Sequence, residues 1–101
     1  MARSRNTDKN GARFTQSKVE SVWRKGRIID GYDPNIWRRD RCGDWIKRAE
    51  YGNTNSKHGW EIDHIVPVSK NGSDDLSNLQ PLQWDNNRRK ADQDQNSWNC
   101  R

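Results

Sequence analysis

Apolar positions along this chain are sparse and come in short patterned runs. In 15–25 (TQSKVESVWRK), Val19, Val22 and Trp23 fall at i, i+3 and i+4, the single apolar stripe of a helix. Thr15 or Ser17 can cap its start and Gly26 can end it. Gly31-Tyr32-Asp33-Pro34 predicts a turn, with Pro34 opening a second short helix. That helix would turn Ile36 and Trp37 inward and leave Arg38, Arg39 and Arg41 outside. Cys42-Gly43-Asp44 breaks it, Trp45-Ile46 begins a short extended piece, and 51–59 (YGNTNSKHG) is loop. The run 60–68 (WEIDHIVPV) has strand character through Ile62, Ile65, Val66 and Val68, and Pro67 marks where pairing stops. Residues 69–78 are turn chemistry, and 79–84 (LQPLQW) is a second extended segment. Asp85 is then placed to cap a helix from Asn86 to about Asp94. The pattern predicts an α+β fold: N-terminal helices, then strand, long turn, strand and helix.

Composition adds a constraint. Of 101 residues only 29% are hydrophobic and 33% are charged, which allows one small domain with a small core. Six tryptophans, at 23, 37, 45, 60, 84 and 98, can replace many aliphatic side chains, because each buries roughly 200 Å². They are read as core rather than as base-stacking platforms. Residues 1–13 (MARSRNTDKNGAR) have almost nothing to bury and are expected to form a flexible basic arm, either merely disordered or in touch with phosphates. A single domain then spans 14–101. Cys42 and Cys100 are too few for a disulfide scaffold or an all-cysteine zinc site, and are expected as plain reduced thiols.

The charge of +5 and pI near 9.6 point to an anionic partner, nucleic acid above all. No apolar run approaches the roughly 18–20 residues of a membrane span. Arg3 and Arg5 have no apolar stretch behind them, so no signal peptide is expected, and the expected location is cytoplasmic.

Chemistry concentrates in 61–90. Asp63 and His64 are adjacent near the end of a strand, Asn78 ends the long turn, and Asn86-Asn87 opens the last helix before Arg88-Arg89-Lys90. Phosphodiester cleavage needs such parts. A histidine can take a proton from water near neutral pH. Carboxylate and amide oxygens suit magnesium or manganese, and cations hold the DNA backbone. Strand alternation would send Asp63 and His64 to opposite faces, so the strand must bend or end there for both to serve one phosphate.

The stretch Trp60-Glu-Ile-Asp-His-Ile-Val-Pro-Val-Ser-Lys-Asn-Gly, then Leu76-Ser-Asn-Leu-Gln-Pro-Leu, then Asn87-Arg-Arg-Lys90 resembles the HNH endonucleases, with Asn78 fourteen residues after His64 and Asn87 nine after that. The resemblance covers about a third of the chain. It implies a ββα-metal (His-Me finger) core within 60–94: a short β-hairpin and a C-terminal helix. It implies His64 as the general base, Asp63 and Asn87 as metal ligands, and Asn78 as the residue that ties the turn and holds His64. It sets Lys90, with Arg88 or Arg89, toward phosphate, and leaves Glu61 a supporting place on the strand face of Asp63. It implies hydrolysis of DNA to 5′-phosphate and 3′-hydroxyl ends.

Two departures carry weight. The motif ends in Asn87 rather than His, which favours magnesium or manganese over zinc or nickel. The paired CxxC motifs of many members are absent, and the Trp-rich N-terminal half is expected to stabilise the domain instead. Asn86 is a rival to Asn87, which is preferred for its Asn-x-x-Lys spacing to Lys90. His58, in a Gly/Asn-rich loop, is expected in solvent rather than on a metal. Without a separate DNA-reading domain the expectation is low sequence specificity. One site per chain would nick as a monomer, or cut both strands as a weak homodimer. The rival readings are a DNA-binding module with a vestigial motif, and a nuclease directed at RNA.

Overall fold

The computed structural model describes residues 4–94 and 97–100; residues 1–3 of the expected arm and part of the tail lie outside them. Two helices and two antiparallel hairpins make an α+β fold. Helix α1 spans Gln16–Trp23, strands β1 and β2 span Trp37–Arg39 and Trp45–Lys47, β3 and β4 span Trp60–His64 and Leu79–Gln83, and α2 spans Trp84–Lys90.

Helix α1 follows its apolar stripe. Thr15 accepts a hydrogen bond from the Lys18 N–H, and Val19, Val22 and Trp23 are buried. They pack with Ile46, Trp60, Ile62 and Leu79 into one cluster, flanked by Phe14 and Tyr51. Trp23 and Trp60 meet with ring centroids 5.3 Å apart. Both indoles are essentially fully buried, and each contributes about 5 kcal/mol of transfer free energy. Each also satisfies its N–H, Trp23 on Pro34 O and Trp60 on Arg48 O.

The second expected helix does not form. Asp33 O accepts the N–H groups of Ile36 and Trp37, closing a turn, and the chain then enters β1. Strand pairing sets Trp37 opposite Lys47, Arg38 opposite Ile46 and Arg39 opposite Trp45. The alternation that follows reverses the expected faces: Arg38 and Ile46 point in, while Ile36 is exposed. Arg38 is tolerated inside because its guanidinium donates to three carbonyl oxygens, of Pro34, Arg24 and Gly26.

The cysteines are not free thiols. Cys42, in the β1–β2 turn, is disulfide-bonded to Cys100 across 58 residues. The bond brings the tail back onto the first hairpin, where Trp98 is buried and Arg41 lies 5.0 Å from its ring. Asp40 beside it is a buried hub. It accepts from the Cys42 and Asp44 N–H groups through one oxygen, and from the Gln83 N–H and Asn86 Nδ2 through the other. This couples the first hairpin to the start of α2.

Residues 4–13, expected as a flexible arm, are built into the domain. Thr7 and Arg13 form a β-bridge, and Asp8 closes the turn between them. Asn6, in the left-handed conformation (φ 59°), accepts the Ile62 N–H through Oδ1. The arm thus satisfies one N–H on the edge of β3 away from β4.

Strand β3 is buried at all five positions and pairs with β4 from Trp60–Gln83 to His64–Leu79. It stops at His64, three residues before Pro67, where pairing was expected to stop. Helix α2 starts at Trp84 with Gln83, not Asp85, as its cap; the Gln83 side chain accepts from the Asp85 and Asn86 N–H groups. It ends at Lys90, before Ala91 takes a positive φ, rather than near 94. No helix among the described residues is long and apolar enough to cross a membrane.

Candidate active site

At the end of β3 a cleft of about 370 Å³ opens between the strand, the start of the long turn, α2 and the arm. Asp63, His64 and Asn87 line one side, and Arg5 and Asn6 line another. Alternation along β3 holds: Glu61 and Asp63 turn to α2, while His64 lies 6.0 Å, ring to ring, from Phe14. The strand ends there, and both Asp63 and His64 reach the cleft.

Asp63 is buried. Its Oδ1 lies 3.0 Å from Lys90 Nζ, and its Oδ2 accepts from Gln80 Nε2 at 2.9 Å. Burial pushes its carboxyl above the usual range, with Lys90, Gln80 and His64 pulling the other way. Lys90 is fully buried, so its ammonium serves Asp63 and the His64 carbonyl oxygen rather than facing a phosphate as expected. The sequence could not show this, because Lys90 ends a run of three cations that looks like a solvated helix face.

Asn87 donates through Nδ2 to Glu61 Oε1 at 3.0 Å, and its Oδ1 takes no hydrogen bond among the described residues. Glu61 therefore orients the amide. Asn86, the rival, lies elsewhere: it donates to Asp40 and Asp44 and accepts from Arg89. Arg88 is exposed, 3.7 Å from Glu61 Oε2 and over the Trp84 ring. Arg89 turns to Asn86 and Asp85, away from the cleft.

Asn78 ties the long turn. Its Oδ1 accepts the Val66 N–H, its Nδ2 donates to Val66 O and Ser73 O, and its carbonyl accepts the Ile65 N–H. Gly72 is required in this turn: a Cβ there would fall 1.7 Å from Val66 O. The turn in this way delivers Asp74 to His64.

Asp74 is the site residue that sequence reasoning missed. Its Oδ1 lies 2.8 Å from His64 Nε2, and both its carboxylate oxygens accept from the Lys9 N–H. Its partial burial would raise its pKa, but the hydrogen bonds from His64 and Lys9 hold it below the ordinary carboxylate value. An ionised Asp74 accepts the Nε2–H, so that in the neutral imidazole the lone pair lies on Nδ1, the tautomer of a base. In the sequence Asp74 is one of several turn-forming residues in Gly-Ser-Asp-Asp, and no spacing singles it out. His58, expected in solvent, is half-buried edge-on against Trp37, with Nδ1 3.1 Å from Trp45 O.

The sequence model of the HNH endonuclease family matches residues 40–93, more than half of the chain. The chain belongs to the HNH endonuclease family. No curated protein and no solved structure matched it. For an HNH protein the match is informative at its start. It begins at Asp40, the buried hub, so the family region takes in the β1–β2 hairpin's turn and β2 as well as β3, β4 and α2.

HNH endonucleases are nucleases and generally use a divalent metal ion. Among the described residues no three His, Cys, Asp or Glu side chains gather as a metal cage. Oxygen donors on the cleft include the Asp63 carboxylate and Asn87 Oδ1, which takes no hydrogen bond among the described residues. Hard oxygen donors with room for water fit a divalent cation.

Proposed function

We propose that this HNH protein is a metal-dependent endonuclease that hydrolyses DNA phosphodiester bonds, leaving 5′-phosphate and 3′-hydroxyl ends. The observation that carries the reading is the His64–Asp74 pair at the rim of a cleft that also holds Asp63 and Asn87. His64 Nδ1 takes a proton from water as the water oxygen bonds to phosphorus. The bond from phosphorus to the 3′-oxygen breaks, and that oxygen leaves with the electron pair and is then protonated by solvent. Asp63 and Asn87 would hold a magnesium or manganese ion, whose charge offsets that of the phosphate and of the leaving oxygen. Glu61 sets the Asn87 amide, Lys90 and Gln80 set the Asp63 carboxylate, and Asp74 sets the His64 ring. Arg5 and Arg88 supply exposed positive charge for the DNA backbone.

One such cleft per chain supports nicking of one strand per event, and low sequence specificity belongs to the same proposal. A monomer or weak homodimer suffices. The test is a supercoiled plasmid incubated with magnesium or manganese, with and without chelator, beside an RNA of similar length. The parent should give nicked circles before linear DNA and spare the RNA. His64→Ala should lose at least a hundredfold in rate and keep DNA binding. Undiminished cutting by His64→Ala would remove His64 from the mechanism, and RNA cut in preference to DNA would reassign the substrate.

A further inference from the structure

The β1–β2 hairpin presents a second, unassigned surface. Its register places Trp37, Arg39, Trp45 and Lys47 on the face opposite Arg38 and Ile46. Arg38 and Ile46 are buried, whereas Arg39 is exposed and the other three are half-exposed. Directly opposed residues pair a cation with an indole: Lys47 Nζ lies 5.5 Å from the Trp37 ring centre, and the Arg39 guanidinium 6.0 Å from that of Trp45. Tyr32, 51% exposed, continues the face with its ring 4.8 Å from Trp45 and nearly perpendicular to it. Neither Arg39 nor Lys47 forms an ion pair among the described residues. These two indoles, read from sequence as core, are kept at the surface with unneutralised cations.

We propose that this face binds single-stranded DNA, with Tyr32 and the two indoles taking unpaired bases and Arg39 and Lys47 taking phosphates. Free cations interleaved with aromatic rings complement a strand whose charges and bases alternate. A duplex offers only its backbone, because its base faces are stacked. The place fits as well. Lys47 N–H donates to His58 O, and Trp60 Nε1 donates to Arg48 O, so the hairpin adjoins the Trp60 end of β3. The cleft lies at the other end, about 13 Å along a five-residue strand. A strand seated on the hairpin is a few nucleotides from His64.

This reading adds to the proposed nuclease activity, and its test does not depend on cutting. Binding of a fluorescent 20-nucleotide strand, and of the matching duplex, is measured by anisotropy in chelator. The parent should hold the single strand at least fivefold tighter than the duplex. Arg39→Glu/Lys47→Glu should lower single-strand affinity at least tenfold and reduce the salt slope by about 1.4, two contacts at roughly 0.7 each. Tyr32→Ala, an exposed change that spares the fold, should weaken the single strand about fivefold and leave the duplex unchanged. Arg39→Glu alone should cost more than Arg24→Glu, an equal reversal at the exposed end of α1. Equal losses from those two, unchanged affinity in the double reversal, or a preference for duplex would overturn the proposal. If binding behaves as expected and the plasmid stays intact, only the nuclease reading fails.

Discussion

The two hairpins are built from the same number of strands and use opposite economies. β1–β2 has three-residue strands, one buried face and one face of half-exposed aromatics and cations. β3–β4 has five-residue strands, and all of β3 is buried although it reads Trp-Glu-Ile-Asp-His. Burying an acid, a second acid and an imidazole on one strand is costly unless each is paired. Each is: Glu61 with Asn87, Asp63 with Lys90 and Gln80, His64 with Asp74. The first hairpin keeps its charges in water, apart from Arg38 and the Asp40 of its turn. The second takes them inside and spends α2 and a long turn on holding them, which is what a preorganised site requires.

The sharpest way to break the comparison is through the tryptophans. Trp60→Ala, removing a fully buried indole from β3, should cost about 3–5 kcal/mol in urea unfolding. Trp37→Ala, on the half-exposed face, should cost well under half of that. Equal losses would show that the first hairpin's outer face is core after all.

Charge gives the next largest effect. Lys90→Met leaves Asp63 buried without its cation and should cost about 3 kcal/mol. Asp63→Asn/Lys90→Met removes both charges and should recover most of that stability while remaining inactive. A double variant no more stable than Lys90→Met would mean that the ammonium acts through the His64 carbonyl instead. On the other hairpin, Cys100→Ser opens a cross-link spanning 58 residues. The loss expected from loop entropy is about 4 kcal/mol as an upper value. Cleavage at a temperature where the variant is folded should be unchanged, since the bond lies on the first hairpin.

The contrast also explains what could be read beforehand. The apolar spacing of Val19, Val22 and Trp23 and the strand-turn-strand order of 60–84 are local patterns, and they survive in the fold. Of the motif residues, Asp63, His64 and Asn87 line one cleft and Asn78 ties the turn beside it. β1 was not legible: Trp37-Arg38-Arg39 has no apolar period, and only pairing with β2 turns Arg38 inward onto three carbonyls. Lys90 and Asp74 were hidden for a related reason. Both act through contacts more than nine residues away in sequence, one across the strand–helix packing and one across the long turn. The contacts of residues 4–13 were not legible because they are polar, Asn6 to the β3 backbone and Lys9 to Asp74, and low hydropathy carries no sign of them.

The smallest effect concerns Asp74, where turn, arm and His64 meet. Asp74→Asn keeps a hydrogen-bond acceptor but loses the charge, so kcat should fall about tenfold with KM little changed, a loss near 1.4 kcal/mol in barrier. Its pH signature separates it from a merely structural change. The carboxyl lies below its ordinary value because the His64 and Lys9 hydrogen bonds outweigh burial. A depressed carboxylate pKa stabilises the fold above the unfolded value, about 3.9, and that contribution is lost as pH falls through the lower folded value. The difference in Tm between the parent and Asp74→Asn should therefore not shrink between pH 7 and about pH 4, and should close below it. A difference that already closes between pH 7 and pH 5 would mean that Asp74 is not the ionised partner of His64, and the choice of Nδ1 as the base would go with it.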